Sequence, residues 1–169
     1  WEDLTAYFIT LPANRIELWA WLESDRLLNP VFREFYSERD VVHEERRRST
    51  EATPLGKYDE AFNALFWEAA PYKWPVVGWA SDLAAISKAD ADAYFSVYYA
   101  ANNLTGVLVG DFRSAEVRPL IERYFGRVPR GRSDPPEVVT FDPRQIGEKR
   151  YNAEAVTSPT VRVWYHSVP

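Results

Sequence analysis

Apolar residues follow two different periods along the chain, and each period predicts its own kind of element. Short runs of β-branched and aromatic residues, bounded by turn residues, predict strands. These runs are LTAYFITLP (4–12), LTGVLVG (104–110), VVTF (138–141), KRYNAEAV (149–156) and TVRVWYHS (160–167). Helical spacing occupies most of the sequence from residue 15 to residue 126.

Several of the helical stretches have residues typical of helix termini at their ends. Asn14 is expected to cap the first helix, and Ser87-x-x-Asp90 resembles a capping box that opens a later one. Gly126 is expected to end the last helix. Helices are predicted over residues 15–28, 31–49, 59–70, 87–99 and 114–125, with an ordered, aromatic-rich loop over 71–83.

The order of the elements favours the α+β class. Helices and strands are mixed without a strict βαβ rhythm, so a parallel doubly wound sheet is not expected. Residues 129–136 turn to Pro, Gly, Arg, Ser and Asp, which is typical of a linker.

Composition and charge exclude some classes of protein. The 169 residues are 46% hydrophobic and 27% charged, as in a folded domain. A net charge of −5 gives no basic surface for nucleic acid, and no apolar run approaches the roughly 18 residues of a membrane span. Without cysteine there is no disulfide and no thiolate metal site. The chain begins at Trp1 and has no methionine, so we expect it to be a piece of a longer protein.

Two acidic residues in the second predicted helix stand out by their spacing. Glu38 and Glu45 are seven positions apart, which places both carboxylates within about 20° on one face of a helix. Val41 lies between them on that face, so the face is partly apolar. A metal-ligating glutamate held by a second acidic residue fits this geometry. The alternative is a solvated face, and Arg46, Arg47 and Arg48 are interpreted in that way.

Other catalytic motifs are absent. His43-Glu44 does not open H-E-x-x-H, because position 47 is arginine, and His166 is far away in sequence. Both histidines are therefore expected to be structural or solvent-facing. Neither G-x-G-x-x-G nor G-x-S-x-G occurs. Composition and spacing alone predict an α+β globular protein and no specific activity.

Five blocks in order resemble the pitrilysin/insulinase family of zinc metallopeptidases. The resemblance spans essentially the whole chain, and the blocks together are specific where each alone is weak. They are TAYFITLPANRIELWAWLESDRLLNP (5–30), ERDVVHEERR (38–47), PYKWPVVGWASDL (71–83), YYAANNLTGVLVGDF (98–112) and LIERYFGRVPRG (120–131).

The resemblance implies roles for the two glutamates. In the family, a helix bearing H-x-x-E-H supplies two histidine ligands and the general base, and a glutamate further along supplies the third ligand. That third ligand falls on Glu45, and the acidic residue that supports the site falls on Glu38. Two histidines, one carboxylate and an open position for water suit catalytic Zn²⁺. This sequence contains no H-x-x-E-H, which in family members precedes the segment resembling residues 4–11.

The resemblance also implies a domain organisation. Residues 1–130 correspond to the C-terminal portion of the first, zinc-bearing domain, truncated at its N-terminus, with a mainly antiparallel sheet packed against helices. Residues 131–147 are the linker, and 148–169 are the first strands of a second, homologous domain. The missing N-terminal segment and the second domain or subunit are the expected partners. The resemblance is compatible with either a homodimer or a heterodimer.

Two functions from different classes follow. The first is a portion of a zinc endopeptidase that hydrolyses peptides or small proteins, with the 1–169 piece inactive by itself and its substrate-binding residues unknown. The second is a non-catalytic homologue that acts as a partner subunit. Retention of Glu38 and Glu45 favours the first, and a stand-alone binding domain is the least favoured reading. The compartment is not encoded, with a bacterial periplasm or cytoplasm preferred.

Overall fold

Helices are the regular elements of residues 1–167, the part of the chain that the structure, a computed structural model, describes. The α-helices are α1 (Ile16–Leu28), α2 (Phe35–Arg46), α3 (Gly56–Phe66), α4 (Ala80–Ala85), α5 (Lys88–Tyr98) and α6 (Ser114–Phe125). Single turns of 3-10 helix span Ala13–Arg15, Pro71–Lys73 and Ala101–Asn103. One π-helical turn, Arg47–Glu51, directly follows α2.

The predicted termini of α5 and α6 are confirmed. The Ser87 side chain accepts a hydrogen bond from the backbone N–H of Asp90, whose own side chain accepts from the N–H of Ser87. Gly126 is the C-cap of α6. The prediction for Asn14 is wrong, because it lies inside the 3-10 turn, and Arg15 precedes α1 without a side-chain cap bond.

The third helix begins and ends three to four residues earlier than its sequence predicts. Its end has a physical cause in Asp142, whose carboxylate accepts hydrogen bonds from the backbone N–H groups of residues 68–70 at 3.2, 2.7 and 2.6 Å. These N–H groups would otherwise donate to carbonyls of α3. Trp67 is already extended, with φ −90° and ψ 108°. The loop predicted over 71–83 is also only partly correct, since α4 begins within it.

The expected α+β fold with a mainly antiparallel sheet is wrong for this structure. No strand or sheet occurs in residues 1–167, and the five segments predicted as strands are irregular. Leu104 does have extended backbone angles, φ −114° and ψ 136°, but a strand also needs a neighbour to receive its ladder of hydrogen bonds. Phe8 and Val109 are 89% and 90% exposed. The residue types favoured an extended backbone, whereas pairing depends on tertiary context that residue type does not encode.

The chain divides into two compact units. The first comprises Trp1–Leu4, Tyr36–Ala85 and the stretch from Val138, and the second comprises Thr5–Phe35 and Ile86–Glu137. The domain boundaries expected from the resemblance, 1–130, 131–147 and 148–169, stay a prediction. Val168 and Pro169 at the end of that last range lie outside the described residues.

In the second unit, α1 packs on α6. The contact is built around small buried residues, since Ala20 and Ser24 of α1 are both 0% exposed. Beside them the rings of Trp19 and Phe125 lie 5.4 Å apart between centroids. At the rim, the Tyr124 hydroxyl donates to Glu17 at 2.9 Å. Small residues let the two backbones approach, and the aromatic pair fills the space around them.

In the first unit, aromatic rings of α3 hold the segment near the end of the described chain. Trp164 makes edge contacts with Phe62 and Phe66, at centroid distances of 4.9 and 5.3 Å. His166 stacks on Phe66 at 4.1 Å and 11°. This histidine therefore has a structural contact, as expected, and the segment 160–167 lies against a helix instead of within a sheet.

Candidate metal centre

Helix α2 carries both glutamates that the sequence singled out. Glu38 and Glu45 are exposed, and seven helical positions place them within about 20° of each other around the axis. Within residues 1–167, neither carboxylate makes a hydrogen bond or an ion pair. The structure therefore leaves two anionic oxygen donors available on one face of α2.

Glu44 differs from its neighbour Glu45. Its carboxylate accepts three hydrogen bonds from the Arg47 guanidinium, at 3.2, 3.0 and 2.7 Å. These hydrogen bonds lower the pKa of the Glu44 carboxyl, and the charges of Arg47 and Arg48 act in the same direction. The Glu44 carboxylate is already paired with Arg47, the first residue of the π-helical turn, whereas the Glu45 carboxylate has no such partner. The structure thus distinguishes two adjacent acids that sequence alone separates only by about 100° of rotation.

Glu45 lines two adjoining open depressions on the first unit. One, of ≈ 660 Å³, runs along α2 and is lined by Ser37, Asp40, Val41, Glu44, Glu45, Arg48 and Ser49. The other, of ≈ 610 Å³, extends towards α3 and the loop before α4, and its lining includes Val42, Glu45, Asp59, Glu60, Val76 and Val77. Glu38 lines neither. Glu45 is therefore the acid of this helix that faces space on both sides.

The residue after Glu45 anchors the end of α2. Arg46 is 6% exposed, and its Nη1 and Nη2 atoms donate to the two carboxylate oxygens of Glu60 at 2.6 and 2.8 Å. Nη1 also donates to the Gly78 carbonyl at 2.8 Å. The hydrogen bonds to Glu60 raise the pKa of the Arg46 guanidinium, although burial opposes the shift. This set of contacts joins α2 to α3 and to the loop before α4.

For Arg46, the interpretation as part of a solvated face is wrong. The other two arginines of the run, Arg47 and Arg48, are exposed as expected. Within a run of three arginines, residue type gives no signal for which one is buried. Its partner Glu60 lies 14 positions away on another helix, so no periodicity links them. Sequence reasoning therefore missed the residue that fixes this helix end.

The segment between α2 and α3, which follows Arg46, is closely packed. The π-helical turn is closed by a hydrogen bond of 2.8 Å from Ala52 N–H to the Arg47 carbonyl, and the Ser49 hydroxyl donates to the Glu45 carbonyl at 2.8 Å. At Gly56, where α3 begins, a Cβ atom would lie only 2.2 Å from the Thr50 carbonyl oxygen. Glycine is required there, and π-helical turns of this kind are frequent at functional sites.

The described part of the chain does not by itself form a complete metal site. No group of three or more His, Cys, Asp or Glu side chains in residues 1–167 is arranged to hold an ion. Glu45 fits one position of a zinc ligand set, because it is an anionic oxygen donor without a protein partner and lines both depressions.

Comparisons with known proteins give the family. The family described as "Peptidase M16 inactive domain" matches residues 85–168. Zinc protease PqqE of Helicobacter pylori (strain ATCC 700392 / 26695) is 37% identical over 128 residues, which are 73% of this chain and 28% of that protein. The chain belongs to the M16, or pitrilysin/insulinase, family of peptidases. The resemblance stated from the five sequence blocks is thereby confirmed.

A solved protease structure is similar to this chain. The structure titled "The crystal structure of a protease from Helicobacter pylori" superposes with a TM-score of 0.72 at 28% identity, over 79% of this chain and 33% of that one. The chain thus spans less than a third of the curated relative's length and a third of the solved one. The M16 match at 85–168 begins after α2, so Glu38 and Glu45 lie outside it.

None of the helices in residues 1–167 is long and apolar enough to cross a bilayer.

Proposed function

We propose that this chain is part of a zinc-dependent M16 endopeptidase and that Glu45 contributes the carboxylate ligand of its Zn²⁺. One observation carries the proposal. Of the two adjacent acids at the end of α2, Glu44 is held by Arg47, while Glu45 is exposed and faces open space on both sides. A carboxylate that must reach a metal needs this freedom from competing cations.

Glu38 is proposed as the supporting acid of the same site. It lies two turns before Glu45 on the same helix face, and no described residue hydrogen-bonds to its carboxylate or forms an ion pair with it. Residues that orient a ligand act through hydrogen bonds and charge, and their loss typically lowers metal affinity or activity about 10–100-fold.

The proposed substrate class is peptides and small proteins. Zn²⁺ bound with Glu45 would supply Lewis-acid chemistry for amide hydrolysis. Glu45 would contribute negative charge to the ligand set. The 1–169 chain alone is expected to have no peptidase activity, because one carboxylate neither fixes a zinc ion nor acts as the general base.

A second candidate function is that of a non-catalytic M16 subunit. One observation favours it, namely that the matching family is described as the inactive domain of M16 peptidases. That match does not include α2, so it does not bear on Glu38 or Glu45. The retained, unpaired carboxylates support the catalytic alternative, because a subunit without zinc would not need them.

Metal analysis of the full-length protein, together with a peptidase assay, tests the proposal. We expect about one zinc per protein and cleavage of a fluorogenic peptide that a chelator abolishes and added zinc restores. Full-length protein that is folded, free of zinc after incubation with it, and inactive on a peptide library would instead support the non-catalytic subunit.

A further inference from the structure

Arg46 is the one charged residue among those buried in residues 1–167. Its guanidinium makes a two-pronged contact with Glu60 on α3, and a third hydrogen bond to the carbonyl of Gly78. The Nε atom lies 3.8 Å from a carboxylate oxygen of Glu51. A planar guanidinium that uses both its terminal nitrogens on one carboxylate is held in both distance and orientation.

A buried ion pair is a poor way to gain stability, because both charges lose their hydration. Val42 and Val77 line the same depression as the partner Glu60. The pair does supply geometry that an aliphatic contact would not, because its hydrogen bonds allow one rotation of α2 against α3. Fixed arrangement is the best-attested use of such pairs.

The position of Arg46 connects that geometry to the candidate ligand. Arg46 is the last residue of α2 and directly follows Glu45, about 100° further round the helix. A π-helical turn begins at the next residue, and the Ser49 hydroxyl of this turn donates to the Glu45 carbonyl. The backbone of Glu45 is therefore held from its C-terminal side, while its side chain stays exposed.

We propose that Arg46 is a positioning residue for Glu45: the buried contacts of Arg46 with Glu60 and Gly78 set the rotation of the end of α2 and so the direction in which Glu45 presents its carboxylate to zinc. This inference rests on the proposed zinc site. Arg46 does not touch the metal. Its effect passes through the backbone of the adjacent residue.

Zinc affinity in the full-length protein tests this role, measured by competition with a zinc-chelating fluorophore, with thermal unfolding recorded for each variant. Arg46→Lys keeps a cation beside Glu60 but cannot contact both of its oxygens and Gly78 together. The double variant Arg46→Met, Glu60→Met removes both buried charges and leaves an apolar contact that permits folding. We expect zinc affinity to fall about 10–100-fold in the double variant and by less in Arg46→Lys.

Arg47→Met is the matched control, since it removes an exposed ion pair from the same helix turn. Its zinc affinity should stay within about twofold of the wild type. A merely structural role would lower the melting temperature of Arg46→Lys and leave its zinc affinity at 25 °C unchanged, and that result would overturn the proposal. Should the double variant not fold, Arg46→Lys alone decides the question.

Glu45→Gln in the same assay distinguishes a wrong zinc ligand from a wrong positioning role for Arg46. If Glu45→Gln and the Arg46 variants all keep wild-type zinc affinity, the proposed zinc ligand itself is wrong. If Glu45→Gln loses zinc while folded Arg46→Lys and the double variant bind it like the wild type, the ligand assignment stands and the positioning role is wrong.

Discussion

The α1–α6 contact and the α2–α3 junction both join two helices, but the first uses small and aromatic side chains and the second uses a buried ion pair. At the α1–α6 contact, Ala20 and Ser24 of α1 are fully buried, and the rings of Trp19 and Phe125 pack against each other. In the second, a charged pair, Arg46 with Glu60, fills the space between the elements. The charged pair is directional, because its two parallel hydrogen bonds fix both distance and orientation. The rigid junction is the one that carries the candidate ligand.

The largest loss of folding stability should come from removing one charge of the buried pair at the α2–α3 junction. Arg46→Met leaves Glu60, whose side chain is 15% exposed, without its partner. An uncompensated charge at such a site destabilises a protein by about 3–5 kcal/mol. Urea denaturation of the purified chain should show this loss, while Arg47→Met, at an exposed pair, should cost less than about 1 kcal/mol. Equal losses for the two variants would mean that the buried pair does not hold the junction.

A smaller effect is expected from overfilling the apolar contact. Ala20 of α1 is fully buried, and α1 packs on α6, so Ala20→Leu adds volume where there is no room. Overpacking of this kind typically costs about 1–3 kcal/mol. Zinc affinity of the full-length protein should not change, because Ala20 belongs to the unit without the candidate ligand. A loss of zinc affinity in a folded Ala20→Leu variant would break the distinction between the two regions.

The smallest effects are expected at the extremes of pH. In the second unit, partial desolvation and the hydrogen bond with Tyr99 raise the pKa of Tyr7 to about 12. A raised pKa in the folded state contributes stability below about pH 10, and this is lost as the pH rises towards 12. Tyr7 is 58% exposed, so solvent screens the effect. Tyr7→Phe should flatten the alkaline part of the stability profile, and an unchanged profile would refute the assignment.

In the first unit, the pKa of Asp142 shifts in the opposite direction, downwards. Burial raises the pKa of Asp142, but the N–H groups of residues 68–70, with the charge of His166, outweigh it and the pKa is lowered. A lowered folded-state pKa contributes stability above about pH 3.9, and this is lost as the pH falls. Asp142→Asn should therefore be less stable than the wild type at neutral pH, with the difference shrinking in acid. A constant difference across pH would contradict this account.

The sequence was informative where local chemistry decides the structure. The reciprocal bonds of Ser87 and Asp90 and the stop at Gly126 involve neighbours in sequence, so α5 and α6 were predicted nearly to the residue. Helix α3 ends early because of Asp142, more than 70 positions away. Segments such as LTGVLVG have the residue types of a strand but no pairing partner in residues 1–167.

At the candidate site, too, local features could be predicted from the sequence and tertiary contacts could not. The helical period placed Glu38 and Glu45 on one face, and the family resemblance gave them roles that remain proposals. The burial of Arg46 could not be predicted, because its neighbours Arg47 and Arg48 have the same residue type and both point to solvent. Only the tertiary contact with Glu60 separates them.

The central claim is tested most directly by the zinc affinity of two full-length variants that differ by one position, Glu45→Gln and Glu44→Gln. Glutamine has nearly the same helix propensity as glutamate, so the helix should be preserved in both. We predict that Glu45→Gln weakens zinc binding by more than about 100-fold, beyond the loss usual for a supporting residue, while Glu44→Gln binds zinc like the wild type. Loss of zinc in Glu44→Gln with normal binding in Glu45→Gln would contradict the assignment, and normal binding in both would show that α2 carries no zinc ligand at this position.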